Sequence, residues 1–294
     1  MNAITTQPRT LTSSLNKVGA SVGNTPLLHI TSLSDDAVQV YAKCEWSQIS
    51  GSVKARAAYN IIQSAVERGA LYPGKRLLDA SSGNTAIAYG HIAKATGFEV
   101  TICLPRNASQ RRVEMLNDLG VEIVFTSPYE GTAGAQQKAR ELYNNDPDLY
   151  FYADQYSNEA NWMAHYNGTA LEIFDQTKGQ LTHFVAGLGT TGTFVGTTRR
   201  LKELGDITCI GLQPDSPMHI MEGWKHLETA DVPSIYDKSV ADDFMEISTE
   251  DVVDMMKHID SQHGLRISPS ASANLVGASK VANSIERGIV VTTM

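Results

Sequence analysis

Cysteine is scarce. Cys44, Cys103 and Cys209 are three in 294 residues, an odd and widely spaced set that supports neither a disulfide framework nor a zinc site. Each lies in an apolar, strand-like run, as small core residues do, and a reducing, cytoplasmic setting suits them. The eight histidines show no close His/Cys pairing of metal-site type, so no metal is expected. No apolar run is long enough to span a bilayer. Charged residues make up 19%, no long run of one sign occurs, and the net charge of −8 argues against a partner with a phosphate backbone. The first acidic residue is Asp35, and the Ser/Thr-rich segment before it lacks the apolar core of a secretory signal, so residues 1–19 read as a loose, flexible arm. What is abundant is apolar surface: 42% hydrophobic residues support a well-buried core in two domains or one large α/β unit.

From residue 38 onward, short apolar runs alternate with helical patterns. "VQVYAKCEW" (38–46), "RLLDA" (76–80), "VTICLP" (100–105), "VEIVFT" (121–126), "YFYAD" (150–154), "HFVAGL" (183–188), "TCIGLQP" (208–214) and "GIVVTTM" read as strands. Helices are expected between them, among them "KARAAYNIIQSAVERGA", "NTAIAYGHIAKATG" (84–97), one long pattern over 160–178, and "STEDVVDMMKHIDSQHG" (248–264), which opens on a capping-box-like cluster. Such alternation implies an α/β fold with two parallel-type sheets covered by helices. Ligands in such folds sit where strand ends turn into helices.

Three such loops carry chemistry. "GLGTTGT" (187–193) follows a strand and opens a helix; its glycines permit close backbone approach and its threonines add hydroxyls beside free helix N–H groups, which suits a phosphate. A plain strand-to-helix turn would look the same. "DASSGNTA" (79–86) offers Ser81, Ser82, Asn84 and Thr85, donors suited to a small carboxylate, although Ser82 or Asn84 could equally cap a helix. "SGSVK" delivers Lys54 to the mouth of a helix, where a cation is locally unfavourable. A lone lysine there is an ordinary surface residue as readily as a nucleophile. Together, however, a lysine that can form an imine, a phosphate cradle, and a serine (Ser270 in "ISPSASAN") able to face a ring nitrogen make up the set that pyridoxal phosphate needs.

These residues resemble a known family. In order along the chain, "GNTPL", "SGSVKAR", "SSGNTA", "DQYSNEAN", "THFVAGLGTTGT", "GLQPD" and "PSAS" are similar to the fold-type II pyridoxal-phosphate enzymes of the cysteine synthase and cystathionine β-synthase group, closest to its cysteine synthase B branch, over nearly the whole chain. The resemblance implies a tryptophan synthase β-like fold: a smaller mobile domain over 48–158, and a larger one from 20–47 plus 159–294. It implies that Lys54 holds the pyridoxal 5'-phosphate and acts as acid and base at the substrate α-carbon. Asn84 would contact the cofactor's 3-hydroxyl oxygen, Gly189, Thr190, Thr191, Gly192 and Thr193 its phosphate, and Ser270 its pyridine nitrogen. Ser81, Ser82, Thr85 and Gln155 would grip the substrate carboxylate. The implied reaction is β-replacement, in which an activated serine loses its β-substituent to leave a bound aminoacrylate and sulfide adds to make L-cysteine. A homodimer is implied as well.

The sequence departs from the family pattern. The usual Asn-Pro-Thr-Gly-Ser-Phe/Val-Lys-Asp-Arg reads Gln48-Ile49-Ser50-Gly51-Ser52-Val53-Lys54-Ala55-Arg56, and Ser81 and Ala86 replace the ends of the usual Thr-Ser-Gly-Asn-Thr-Gly. The usual Thr-Thr-Gly-Pro-Glu reads Gly168-Thr169-Ala170-Leu171-Glu172, and Ser272 stands where glycine is usual. Lost glycines and prolines reshape turns. Three readings stay open: a cysteine synthase using O-acetylserine or O-phosphoserine, with Lys225 a candidate for the phosphorylated donor; a sister enzyme with another nucleophile; and a non-catalytic paralogue. A NAD-binding dehydrogenase is discarded, because the acidic ribose-binding residue expected downstream of a glycine fingerprint has no convincing candidate after 187–193.

Overall fold

The computed structural model describes residues 11–81 and 83–294. Residues 11–19 of the expected arm form a helix, α1 (Leu11–Gly19), because Leu15 and Val18 fall one turn apart and are both buried. The rest of the arm lies outside the described residues. A short strand β1 (Leu27–His29) precedes β2 (Val38–Lys43). The expected strand over 38–46 ends early: Glu45–Ser47 close a 3-10 turn, with the Glu45 side chain buried. The chain continues through α2 (Lys54–Glu67), β3 (Arg76–Ala80), α3 (Asn84–Thr96), β4 (Val100–Pro105), α4 (Gln110–Asp118), β5 (Glu122–Thr126), α5 (Gly131–Asn145) and β6 (Tyr150–Tyr152).

The long helix expected over 160–178 is three pieces. These are α6 (Glu159–Ala164), one wide π turn (His165–Thr169) and α7 (Ala170–Gln176). There follow β7 (His183–Gly187), α8 (Gly192–Leu204), β8 (Thr208–Pro214) and β9 (Asp243–Ile247), the last unforeseen. Then come α9 (Thr249–His263), α10 (Pro269–Ala282) and β10 (Gly288–Thr293). The expected cap of α9 is present: the Ser248 hydroxyl accepts from the Asp251 N–H at 3.0 Å.

The chain divides into two compact units. One comprises residues up to Val22 and Ile61–Ala153; the other comprises Gly23–Asn60 and Asp154–Met294. The division falls inside α2, so residues 48–60, expected in the smaller domain, group with the larger unit, to which buried ion pairs of Arg56 tie them. In the smaller unit, β5-β4-β3-β6 form an all-parallel sheet. Its inner strand β4 is an apolar run, covered on both faces and buried at every position. α1 packs on α3 in this unit.

In the larger unit the sheet order is β1-β2-β10-β7-β8-β9, parallel except for the β1–β2 pair. Alternate strand residues feed two helix layers. Ile210 and Leu212 join Val252, Ile259, Leu275 and Val281 of α9 and α10, while Cys209 joins Ile173, Phe194 and Leu201 of α7 and α8. All three cysteines are buried and unpaired with one another. No helix among the described residues is long and apolar enough to cross a membrane.

Candidate active site

Lys54 is the first residue of α2. Gly51 takes the left-handed turn that leads to it (φ +71°), and the N–H groups of Ala55 and Arg56 close back on the carbonyls of Ser52 and Val53. The Lys54 amine makes no hydrogen bond or ion pair among the described residues, and burial lowers its pKa from 10.5 to about 8. The hydroxyls of Ser50 and Ser52, beside it in the loop, are buried without partners among the described residues.

A buried ion network fixes this helix start. Arg56 Nε and Nη2 donate to the Glu45 carboxylate, both at 2.8 Å, and Nη1 and Nη2 donate to Glu172 at 2.6 and 2.8 Å. Two bidentate grips on one guanidinium leave it little freedom. Lys43, fully buried, contacts Glu172 at 2.6 Å, the Thr25 carbonyl at 2.6 Å and Gln176 at 2.9 Å. Gln48 adds a bond to Glu45 at 3.1 Å and accepts from the Gly23 N–H. The segment "GNTPL", the end of β2, the start of α2 and α7 are thus bound together two residues from Lys54.

In the same unit, the turn from β7 to α8 is shaped by close approach. A Cβ on Gly187 would stand 2.0 Å from the Trp224 ring, one on Gly189 2.1 Å from the Gly223 carbonyl oxygen, and one on Gly192 2.0 Å from Asn161 Oδ1. Thr191 caps α8 in the left-handed region (φ 70°), a costly conformation for a β-branched residue. Its hydroxyl makes no capping bond and is buried without a partner among the described residues. Thr190 Oγ1 accepts from Asn161 Nδ2 at 3.1 Å. Thr193 Oγ1 lies 3.3 Å from His165 Nε2, and His165 Nδ1 lies 2.9 Å from Thr169 Oγ1. Burial first, then the charges of Arg56 and Lys54, hold the His165 pKa well below its usual value, so the ring is neutral: one nitrogen donates and the other accepts.

Three further residues belong to this unit. Ser270, in the first turn of α10, donates to the Glu222 carbonyl at 2.7 Å, which leaves its oxygen lone pairs for a ligand. Gln155 is buried, and its carbonyl accepts from Asn161 Nδ2 at 2.7 Å. Lys225 is half-buried; its N–H is bound to the Leu188 carbonyl at 2.8 Å and its amine lies 5.2 Å from the centroid of the Tyr156 ring. Burial lowers the pKa of the Lys225 amine, against the attraction of Asp231.

The smaller unit carries the other loop, between β3 and α3. Buried Asp79 fixes the strand end by accepting from the Ala80 N–H and the Tyr89 hydroxyl. Asn84, one of the two residues expected to cap α3, is instead its first helical residue after Gly83, and the Ser81 hydroxyl accepts from the N–H groups of Ala86 at 3.3 Å and Gly83 at 3.4 Å. Thr85 is buried and Asn84 exposed; Ser82 lies outside the described residues. Lys54, Gln155, Gly189–Thr193 and Ser270 are therefore gathered in one unit, and Ser81, Asn84 and Thr85 in the other. Sequence reasoning missed Asn161, His165 and the buried acids. Asn161 closes the run "DQYSNEAN", where the resemblance assigns it no role, and Asn161 and His165 stand four apart on one helix face.

Among the described residues, no group of three or more metal-ligating side chains occurs. The larger unit does fit pyridoxal phosphate: an unpaired amine for its aldehyde, and a glycine-floored helix N-terminus with an orphaned hydroxyl for its phosphate. Comparison with known proteins agrees. A family model described as pyridoxal-phosphate dependent enzyme matches residues 18–294. The chain is 40% identical to a cysteine synthase of Aquifex aeolicus, covering 92% of this chain and 86% of that one. It is 34% identical to cysteine synthase B of Escherichia coli, covering 92% and 89%. The crystal structure of an O-ureido-L-serine synthase superposes with a TM-score of 0.89 at 27% identity, covering 94% of this chain and 90% of that one. The chain belongs to the fold-type II pyridoxal-phosphate-dependent enzymes, in the cysteine synthase group, and is a group-transferring enzyme.

Proposed function

We propose that this chain carries out β-replacement on an activated L-serine, O-acetylserine first, with sulfide as the nucleophile. The Cβ–O bond breaks and acetate leaves, a Cβ–S bond forms, and L-cysteine is the product. The observation that carries this reading is the Lys54 amine: unpaired, pushed to about 8, and anchored through Arg56 in the unit that holds the Gly189–Thr193 turn. When bound, pyridoxal phosphate supplies an electron sink for loss of the α-proton and the β-substituent.

The residues divide the work. Lys54 would hold the cofactor and, once its amine is released, take and return the proton at the substrate α-carbon, a task suited to a pKa near working pH. Gly189, Thr190, Thr191, Gly192 and Thr193 would hold the phosphate, with the free Thr191 hydroxyl as donor. Ser270 would face the ring nitrogen and give it the hydroxyl proton that here goes to the Glu222 carbonyl, and Asn84 would meet the 3-hydroxyl oxygen. Ser81, Thr85 and Gln155, with Ser82, would grip the substrate carboxylate. The Ser81 oxygen already accepts two N–H groups, which leaves its proton to donate to an anion. A homodimer, checked by light scattering, is part of this reading.

A second reading, a different activated serine or nucleophile, draws support from the likeness to an O-ureido-L-serine synthase and from half-buried Lys225, a cation without an ion-pair partner among the described residues, which would suit O-phosphoserine. The visible absorption spectrum separates the readings. The purified protein is expected to show a cofactor band that Lys54→Ala lacks, that O-acetylserine converts and that sulfide restores, with cysteine accumulating. A band that responds only to O-phosphoserine overturns the donor. No band after reconstitution with the cofactor overturns the enzyme reading and favours the non-catalytic paralogue.

A further inference from the structure

Asn161 is 2% exposed and stands on α6, a helix capped by Asn158, whose side chain accepts from the Ala160 N–H at 3.1 Å. Its amide touches two places of different use. Nδ2 gives one proton to the Gln155 carbonyl at 2.7 Å and the other to Thr190 Oγ1 at 3.1 Å, while Oδ1 lies over Gly192. A carbonyl oxygen can only accept, so the contact with Gln155 settles which end of the amide is nitrogen. That assignment fixes Thr190 in turn. Its oxygen accepts from Asn161, so its own proton is left to be given outward, the polarity an anion needs. The close fit at Gly192 means that the side chain of Asn161 occupies the space a loop Cβ would take.

The Gln155 end is also held under constraint. Asp154, just before it, sits in the left-handed region (φ 41°), a conformation that persists only where the surroundings enforce it. The N–H groups of Ser157 and Asn158 bind the Asp154 carbonyl at 3.0 and 2.9 Å, and Asn161 binds the next one. One buried amide therefore ties the strained turn that presents Gln155 to the turn that opens α8.

We propose that Asn161 is a positioning residue that sets both ends of the site at once: through Thr190 the donor polarity of the phosphate cradle, and through the main chain of Gln155 the grip on the substrate carboxylate. It touches neither group itself. The proposal rests on the reading of Gly189–Thr193 and Gln155 given above. Losing Asn161 is expected to weaken phosphate and amino-acid binding together, although the two ligands would be held by different residues.

The test uses Asn161→Asp, nearly the same shape without the donor, and Asn161→Ala. Inorganic phosphate and pyridoxal phosphate are titrated into the cofactor-free proteins by tryptophan fluorescence, with Trp224 against Gly187 as the built-in reporter. O-acetylserine is titrated into the loaded proteins by absorbance, and thermal midpoints report folding. About a tenfold rise in both the phosphate and the O-acetylserine half-saturation constants is expected for each variant. Thr190→Val should weaken phosphate binding alone, and adding it to Asn161→Ala should weaken phosphate binding no further. Unchanged constants beside a lowered thermal midpoint would make Asn161 merely structural and overturn the proposal. Additive losses in the double variant would overturn the route through Thr190. If Asn161→Ala does not fold, Asn161→Asp decides. If wild-type protein ignores O-acetylserine, the proposed function fails, and phosphate affinity of the cofactor-free variants still decides the Thr190 arm.

Discussion

Lys43 and Glu172 meet at 2.6 Å with the Lys43 side chain wholly out of solvent. Burial alone would raise the Glu172 pKa; hydrogen bonds from Arg56 and Lys43 overcome it and hold the carboxyl at about 2, against an ordinary 4.5. A depressed carboxylate pKa contributes stability that is complete above the unfolded value and is lost as pH falls toward the folded one. Wild-type protein should thus lose about 3 kcal/mol of unfolding free energy from this group as pH falls from above 4.5 to 2. Glu172→Gln leaves Lys43 and Arg56 sharing one carboxylate fewer. It should destabilise the protein at pH 7 by about 3 to 5 kcal/mol, with a flatter acid limb, in urea unfolding followed across pH.

Where the lowered pKa of Glu172 contributes stability, that of Lys54 costs it. Its native pKa of about 8 lies below the unfolded 10.5, so the unfolded chain binds the proton more readily and the amine costs stability below pH 8. Lys54→Met should therefore stabilise the cofactor-free protein at pH 7, by up to about 3 kcal/mol, and by progressively less as pH rises from 8 to 10.5. Thermal unfolding of both proteins at pH 7 and pH 10 checks it; a destabilised variant at pH 7 would contradict the burial of a costly cation.

Two glycines give contrasting outcomes. At Gly189 an added methyl meets a main-chain oxygen at 2.1 Å, which cannot swing aside as a side chain can. Gly189→Ala should cost about 1 to 3 kcal/mol, or displace residues 221–226, and abolish cofactor uptake. At Gly168 the nearest atom to such a methyl is the end of the Arg56 guanidinium at 3.6 Å. Gly168→Ala should bind cofactor as the wild type does. Absorbance titration of both proteins decides.

Thr191→Gly removes both a strained backbone and an orphaned hydroxyl. Relief of the left-handed strain, about 1 to 2 kcal/mol, offsets the loss of a buried side chain. The cofactor-free protein should melt within a few degrees of wild type. Its affinity for pyridoxal phosphate should nevertheless fall about tenfold, the cost of one charge-assisted donor.

The strands β3, β4 and β8 end where their apolar runs end, because sheets covered on both faces demand unbroken apolar sequence. β9 escaped notice because "DFMEI" is an edge strand with exposed acids, whose pattern looks like a loop. The lysine and glycine loops were legible because their chemistry is local. The ion network was not, since Lys43, Glu45, Arg56 and Glu172 are scattered along the chain and each reads singly as a solvated charge. Asn161 was hidden by the same limit: an asparagine in a helical pattern carries no mark of the two loops it ties.

Asn161 and Glu172 stand eleven residues apart, close to three whole turns, so an unbroken α-helix would set them on one face. The π turn at His165–Thr169, closed by the Ala170 N–H on the His165 carbonyl, absorbs one extra residue and puts them roughly a quarter turn out of phase. That phase shift lets one rod answer two demands, with Asn161 and His165 aimed at the α8 turn and Glu172 and Gln176 at Arg56 and Lys43. Holding the same eleven residues in a regular α-helix, without the wide turn, would re-clock everything beyond it by about 100°, swinging Glu172 away from Arg56, whereas deleting a single residue there would keep the present phase. The irregular turn is thus the gearing between the cradle and the charges that hold Lys54, and local regularity would come at the expense of both.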